Sequence, residues 1–427
     1  MTRMKDSGID WIGQIPEEWE VTKLKYALLI SNGKDYKDIE VEEGGYPVIG
    51  SGGVFARSRN YMYDGDVVLL GRKGTIDKPL FYSGKFWTVD TMFYSTALNG
   101  NNIKFMYYSS LLIPFSYYST ATALPSMTQS DLNNHVLCLP SISEQKKIAD
   151  FLDKKTAQLD KVKALLGEQI QKLKDYRASL IYATVTKGLD KTVPVKDSGI
   201  DWIGQVPQGW GVSKLKFTLE KVSNNIKVGP FGSSLSGDAI RSSGKWVYNQ
   251  RNVLDNNFTE TDTFISDAKW KELKNFSVVS GDILLTTRGT IGRIAIVPKD
   301  YFEGILHPCL MKFRVDSHIV QPRLIKYFFN DTTLVKEQLK FLSNSTTIDV
   351  IYSYNLKNII IPIIPLEEQY GIVEYLDKQC SNVDALIKVK QEQIDNINKQ
   401  RQTLIYDYVT GKRRVQKSNL YLVETTE

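Results

Sequence analysis

Chemistry needs a constellation of side chains, and this chain offers only fragments of several. Glu272-Leu273-Lys274, with Asp262 or Asp267 upstream, superficially has the order of a metal-dependent nuclease site. A Glu-x-Lys triplet arises by chance on any charged surface, and the first half of the chain has no counterpart. A phosphate-cradling loop needs Gly-Lys followed by Ser or Thr. Here Gly33-Lys34 is followed by Asp35, Gly84-Lys85 by Phe86, Gly244-Lys245 by Trp246 and Gly411-Lys412 by Arg413. Gly50-Ser51-Gly52-Gly53 lacks the third glycine of a dinucleotide fingerprint and opens no obvious helix. An enzyme that methylates the amino group of adenine or cytosine needs a Pro-Pro-aromatic loop to hold the extruded base, and the chain contains no Pro-Pro dipeptide. His135, His307 and His318 have no spaced acidic or thiol partners. Cys138, Cys309 and Cys380 are far apart and form neither a zinc pattern nor a secreted disulfide framework. The expectation is a chain with no catalytic residues, no metal and no cofactor of its own.

The elements around these fragments are duplicated. Lys5-Asp6-Ser7-Gly8-Ile9-Asp10-Trp11-Ile12-Gly13-Gln14, with Pro16, Trp19 and Lys23-Leu24-Lys25 after it, recurs 191 residues on, from Lys196 to Gln205 with Pro207, Trp210 and Lys214-Leu215-Lys216. A second anchor, Glu144-Gln145, Leu152-Asp153-Lys154 and Leu180-Ile181-Tyr182, recurs 224 residues on as Glu368-Gln369, Leu376-Asp377-Lys378 and Leu404-Ile405-Tyr406. Between the anchors the second copy has therefore gained 33 residues. The ends of the halves match and the middles diverge, which is the pattern of one scaffold carrying two different heads. The middles remain related. Asp64-Gly65-Asp66-Val67-Val68-Leu69-Leu70 runs into Arg72-Lys73-Gly74-Thr75-Ile76, much as Gly281-Asp282-Ile283-Leu284-Leu285 runs into Arg288-Gly289-Thr290-Ile291-Gly292. Each reads as an apolar strand entering a basic, glycine-containing turn. Their Tyr, Val, Ile, Thr and Gly content predicts mixed α/β domains with twisted sheets.

From Ser143 to about Thr186 there is no proline and one glycine, Gly167. Apolar steps of three, four and seven through Leu152, Leu159, Val162, Leu166, Leu173 and Leu180 predict a coiled-coil seam. Pro140 fits the helix start and Gly188 its stop. About 40 helical residues would be roughly 60 Å long. In the second copy the seam is placed on Leu376, Val383, Leu386, Ile397 and Leu404, with Ile387 and Ile394 one position away. A single seam needs a partner, and the economical partner is the other arm. A pseudo-twofold axis would make the arms antiparallel with the globular parts at opposite ends. Packing of each arm on its own domain, or homodimerisation, is the alternative.

The net charge of +6, from 54 basic and 48 acidic residues in 427, permits nucleic-acid binding without requiring it. No signal peptide opens the sequence, and the most apolar stretch, Ile359 to Leu366, is too short to span a bilayer and is broken by Pro362 and Pro365. A cytoplasmic protein with no membrane contact is expected.

The repeat, the arms and the missing chemistry together resemble the specificity subunit of type I restriction-modification systems. The resemblance is carried by Gly8-Ile9-Asp10-Trp11-Ile12-Gly13 with Pro16 and Trp19, Tyr46-Pro47-Val48-Ile49-Gly50-Ser51-Gly52-Gly53, Gly229-Pro230-Phe231-Gly232-Ser233, Gln250-Arg251-Asn252-Val253, and the closing stretches Pro140–Leu152 and Pro365–Leu376. It implies an α+β fold with a pseudo-twofold duplication: two mixed α/β target-recognition domains separated by two long antiparallel coiled-coil helices. The divisions are a first recognition domain over 1–140, an arm over 141–190, a second domain over 191–363, an arm over 364–412 and a disordered tail over 413–427. It further implies that the two domains read an asymmetric bipartite site in double-stranded DNA. The helices would act as a ruler and dock two methyltransferase subunits that bring S-adenosylmethionine. Two restriction/translocase subunits that use ATP and Mg would complete the complex, and adenine methylation and restriction would follow from those partners.

Physical reasoning adds what such reading requires. Heads entering the major groove on one side of the duplex would be centred about one helical turn, roughly 34–36 Å, apart. Bases are read by paired hydrogen bonds, Arg or Lys to guanine and Asn or Gln to adenine. The candidates are Ser51, Arg57, Arg59, Arg72 and Lys73 in the first domain, and Arg241, Asn249, Gln250, Arg251, Arg288 and Arg293 in the second. Trp11, Trp19, Trp202 and Trp210 lie in the repeated parts and are expected to pack. A self-sufficient modification or restriction enzyme, and a coiled-coil scaffold with no DNA role, are the alternatives. The first would bind S-adenosylmethionine or metal alone. The second would bind DNA negligibly and without salt dependence, whereas phosphate contacts weaken steeply with salt.

Overall fold

The computed structural model describes residues 3–118, 125–342 and 350–415. These residues form two compact units that cut across the sequence repeat, one drawn from 3–167 and 391–415, the other from 168–390. Each unit thus contains one head, the start of one long helix and the end of the other.

In the first unit the hairpin β1 (Met4–Asp6) and β2 (Gln14–Pro16) is followed by β3 (Glu20–Lys23) and a sheet built from β4 (Leu28–Asn32), β5 (Glu40–Val41), β6 (Tyr46–Gly50), β7 (Gly53–Ser58), β8 (Tyr63–Gly71), β9 (Leu80–Thr88) and β10 (Met92–Ala97). The sheet order is β4-β10-β8-β9-β6-β7-β5, with β6 and β9 parallel. Helices α1 (Ile103–Ser110), α2 (Phe115–Tyr118) and α3 (Gln129–Asn134) lead to β11 (Val136–Leu139), which pairs with β3. The uninterrupted apolar run of β8 has a direct cause. Alternate side chains of a strand face opposite ways. Val68 and Leu70 join a core with Trp19, Phe105, Ile148 and Leu152, while Val67 and Leu69 join a separate one with Val48, Ile49 and Phe86.

The second unit repeats this plan with more insertions. Helix α4 (Ile142–Lys187) delivers the chain to β12 (Val195–Asp197), β13 (Gln205–Pro207) and β14 (Gly211–Lys214). One sheet contains β15 (Lys227–Val228), β19 (Ile283–Thr286), β20 (Ile294–Ile296) and β22 (Leu310–Phe313) in the order β15-β22-β19-β20. The other contains β16 (Lys245–Tyr248), β17 (Phe264–Ile265), β18 (Ser277–Val278) and β21 (Gly304–Leu306) in the order β17-β16-β21-β18. Short helices α5 (Gln250–Leu254) and α6 (Asp267–Glu272) lie in the insertions. Helices α7 (Pro322–Asn330), α8 (Thr333–Leu342) and α9 (Ser353–Asn358) precede β23 (Ile360–Ile363), which pairs with β14, and the long α10 (Leu366–Val409) follows. β19 is again buried on both faces: Ile283 and Leu285 enter one core, Leu284 another.

The repeated residues tie heads to helices by the same bonds in each unit. Trp19 Nε1 donates to Glu144 at 3.3 Å, and Trp210 Nε1 to Glu368 at 2.9 Å. Gln145 is buried; its Oε1 accepts from the Asn102 amide at 2.9 Å and its Nε2 donates to the Pro140 carbonyl at 3.0 Å. Gln369 accepts from the Gln321 amide at 2.8 Å and donates to the Ile364 carbonyl at 2.8 Å. Asn102 and Gln321 are the N-caps of α1 and α7, so each glutamine satisfies an amide where a helix begins. Asp153 and Asp377 then accept from Tyr108 and Tyr327, each at 2.8 Å. At the far ends, Tyr406 donates to the Trp11 carbonyl at 2.9 Å and Tyr182 to the Trp202 carbonyl at 3.3 Å. Gly188, in the left-handed region at φ +70°, stops α4 against Trp210. Trp19 and Trp210 are buried as expected, but Trp11 and Trp202 are exposed: only their backbones serve the clasp.

Within each unit the long helices run antiparallel. In the first, Asp160 faces Arg401 at 3.8 Å and Lys163 donates to Asn398 at 3.1 Å. In the second, Lys390 donates to Gln169 at 2.6 Å and Arg177 pairs with Asp384 at 3.2 Å. The expected seam needs correction. Leu152, Leu376 and Val383 are buried, and Leu159, Leu166, Leu173, Leu180, Ile397 and Leu404 are half-buried. Val162 and Leu386 are exposed, at 46% and 52%. Ile170, Ile181 and Ile405 are buried in their stead, and Ile387 is half-buried beside Leu386. The tail also departs from expectation at its start. Arg413 pairs with Asp407 at 3.1 Å, and Arg414 pairs with Glu144 at 2.6 Å and Glu18 at 2.5 Å. Residues 416–427 lie outside the described residues.

Candidate nucleic-acid interface

Five chain segments close one edge of each head, and matching hydrogen bonds place them. The Gly33 amide donates to the Met92 carbonyl at 3.0 Å, as Gly229 donates to Leu310 at 2.9 Å. A Cβ on Gly33 would lie 2.0 Å from the Val89 carbonyl oxygen, and one on Gly229 2.2 Å from that of His307. Both positions therefore need glycine for close backbone approach. The Arg72 amide donates to Thr91 at 2.8 Å, as Thr287 donates to Cys309 at 2.8 Å. Met127 donates to the Arg72 carbonyl at 2.9 Å, as Ile351 donates to Thr287 at 3.1 Å. The parallel pairs Ile49 with Thr88 and Tyr248 with Leu306 carry the chain on into Gly50-Ser51 and Asn249-Gln250.

This frame fixes which residues correspond. Ser51 matches Gln250, and Lys73, rather than Arg72, matches Arg288, because Gly74 and Gly289 occupy the same left-handed turn position at φ +81° and +69°. The first edge displays Ser51, Lys73 and the half-buried Arg72, with Lys34 exposed after Gly33. The second displays Gln250, Arg251 and Arg288. Gln250 Nε2 donates to the carbonyls of Arg288 and Thr290 at 3.1 and 3.2 Å, binding the start of α5 to the β19–β20 turn. Arg251 projects into solvent beside Asp255 at 3.7 Å and Asp262 at 4.0 Å. The Asp262 carboxyl is held below its ordinary value chiefly by the Thr263 hydroxyl. His307 Nδ1 accepts from the Cys309 amide at 3.2 Å, which fixes a neutral ring; burial pushes its pKa down.

The remaining candidates are held elsewhere. Arg57 on β7 donates to the carbonyls of Gly44 and Gly45, both at 3.2 Å, and Arg59 to that of Asp38 at 2.6 Å. Arg241 beside β17 donates to Asp238 and Ile240 carbonyls at 2.7 and 3.0 Å. Arg293 is half-buried and donates to Asn330 at 2.6 Å. These four guanidinium groups tie loops together. Asn249 is on the edge, but its side chain caps α5 by accepting from the Arg251 amide at 2.9 Å. Arg72 keeps one contact of the same tying kind, to the Asp90 carbonyl at 3.3 Å. Sequence reasoning passed over Lys34 and Phe231; Lys34 directly follows the contact glycine Gly33, and Phe231, two residues after Gly229, lay in plain view within Gly229-Pro230-Phe231-Gly232. Among the described residues no group of three or more His, Cys, Asp or Glu is placed to hold a metal ion, and no helix is long and apolar enough to cross a membrane.

The sequence pattern of the type I restriction modification DNA specificity domain matches this chain twice, over residues 16–173 and 222–398. The chain belongs to this DNA specificity family. The two matches fall one in each half, so the family unit is the duplicated unit. Among relatives, the chain is 26% identical over 435 residues to a putative type I restriction enzyme MjaX specificity subunit of Methanocaldococcus jannaschii, covering 95% of this chain and 96% of that one. It is 23% identical over 434 residues to the type I restriction enzyme EcoBI specificity subunit of Escherichia coli, covering 96% and 90%. In fold it is similar, with a TM-score of 0.69 and 16% identity over 93% of this chain and 99% of the other, to a chain solved in a study of assembly and conformational transition of the type I restriction-modification system. The two edges present different side chains from one framework.

Proposed function

We propose that this chain is the non-catalytic specificity subunit of a type I restriction-modification complex, and that each five-segment edge reads one half of an asymmetric bipartite DNA site. The observation that carries the reading is the identity of the two frames beside the difference in what they display. Gln250, Arg251 and Arg288 make the second grip, and Ser51, Arg72 and Lys73 the first. Arg251 and Arg288 suit guanine edges and Lys34 and Lys73 suit phosphate, while Gln250, whose Nε2 is engaged by the carbonyls of Arg288 and Thr290, braces the turn that carries Arg288. Chemistry is left to partners: methyltransferase subunits carrying S-adenosylmethionine, and restriction/translocase subunits using ATP and Mg. The methyltransferases dock on the long helices. In support, Val162 and Leu165 on α4 and Leu386 and Val389 on α10 stand at the same places of the repeat and are all exposed. One apolar patch presented twice fits two copies of one partner.

The test is to map methylated adenines in a host expressing the chain with its methyltransferase partner. One bipartite sequence is expected. Arg288→Ala should relax only one half of it and Arg72→Ala only the other. Methylation scattered without sequence preference, or both variants acting on the same half, overturns the reading.

A further inference from the structure

We infer that Phe231 is an apolar base-contacting residue of the second head, with no counterpart in the first. The inference rests on the reading of the edge as a DNA grip. Phe231 is 86% exposed, the most exposed of the large apolar side chains among the described residues. A phenyl ring left in water forgoes the stabilisation that burial would supply, and here the backbone holds it there. Gly229 is locked against the His307 carbonyl, Pro230 fixes the next φ, and the Ser234 amide donates to the Phe231 carbonyl at 2.9 Å. Leu235, buried, anchors the far side of the short turn Gly232–Leu235. The ring therefore stands on a rigid loop at the edge that carries Gln250, Arg251 and Arg288, since Gly229 abuts His307, whose amide donates to Tyr248, one residue before Asn249.

The first head repeats the glycine but follows it with Lys34 and Asp35. One edge thus offers charge where the other offers an aromatic face. Bases provide two apolar partners for such a ring: the thymine methyl group in the major groove, and the face of a base at an opened step.

The test uses the full chain assembled with its methyltransferase partner and a duplex carrying its mapped site. Phe231→Ala should weaken binding about tenfold, within the range of aromatic–base contacts, without changing the salt slope, and Phe231→Trp should restore it. Replacing thymines of the second half-site by uracil, one at a time, tests the methyl contact. 2-Aminopurine in place of the adenines of that half-site, one at a time, tests stacking, because its fluorescence changes when a ring stacks on it. Either one uracil should reproduce the loss and make Phe231→Ala silent, or one 2-aminopurine should change its fluorescence on binding in a way that Phe231→Ala abolishes. Weaker binding with neither arm responding would show that the ring does not touch bases and would overturn the inference. Unchanged binding by Phe231→Ala while Arg288→Ala weakens it would overturn the role of Phe231 and leave the edge standing. If neither variant changes binding, the edge reading falls and the inference with it.

Discussion

Replacing Asp282 by alanine should destabilise the second unit by about 3 kcal/mol. Asp282 is buried at the start of β19, where it accepts from Lys312 Nζ at 2.8 Å, Arg314 Nε at 2.6 Å and the Val279 amide at 2.9 Å. The strand registers equate this position with Val67 of the first head, an apolar side chain in an apolar core. The same place is therefore filled by hydrocarbon in one unit and by a charge cluster in the other. Removing one member of a buried ionic set typically costs about 3–5 kcal/mol, because the survivors stay desolvated. The lower end applies here. Lys312 keeps the Ser277 carbonyl at 2.6 Å, Arg314 keeps that of Ser280 at 2.9 Å, and the Arg314 side chain is one third exposed. With a urea dependence of about 3 kcal/mol per molar, the midpoint falls by about 1 M. Hydrogen exchange of the β19 and β22 amides under urea reads the second unit, and the β8 and β10 amides serve as internal control. A loss below about 1 kcal/mol would refute the account, as would equal loss of protection in both units. Replacing all three charged residues by apolar ones of similar volume should recover most of the loss.

Two further predictions concern the first unit and the helices. His135 is buried with its Nδ1 2.9 Å from the Tyr118 hydroxyl, and burial lowers its pKa from 6.5 to about 4. The unfolded chain takes up this proton first, so the contribution is whole above pH 6.5 and is lost as pH falls toward 4, about 3 kcal/mol in all; His135→Gln should flatten that part of the stability curve, and an unchanged curve would refute it. Val162→Glu and Leu386→Glu should each leave stability within about 0.5 kcal/mol, since both sites are exposed. Each variant should assemble with one methyltransferase subunit fewer, read as the mass of the complex, and full assembly by both would count against the docking surface.

The sequence showed most of the frame and little of the grip, for physical reasons. Glu144-Gln145 and Glu368-Gln369 could be recognised as structural because duplication preserved them, and their bonds to Trp19, Asn102, Trp210 and Gln321 explain why. The apolar strands could be recognised because burial on both faces removes the polar alternation. The seam was misread at Val162 and Leu386 because a heptad template scores apolar character, while exposure depends on which flank of the helix meets its neighbour. Arg57, Arg59, Arg241 and Arg293 were chosen by type, yet most of the carbonyls that engage them come from segments 12 to 37 residues away or from their own turn. No local pattern reveals an acceptor supplied by folding. Phe231 was passed over for the opposite reason: hydrogen-bonding groups were sought, and an exposed apolar ring becomes notable only once its rigid support is seen.

The division of labour within each unit follows from where its bonds lie. The residues that the halves share are spent on backbone amides, buried carboxylates and the indoles that join head to helix. Of the residues that differ, those of the edge stand at the ends of strands, outside the apolar cores, unlike the buried pair Val67 and Asp282. Ser51 and Gln250 illustrate the point, since both follow the same parallel strand pair and the frame tolerates either. A change of reading surface therefore costs a unit little stability, provided that the glycines at 33 and 229, whose Cβ would strike a carbonyl, are kept. Such a chain can change its edge without changing the bonds that join head to helix.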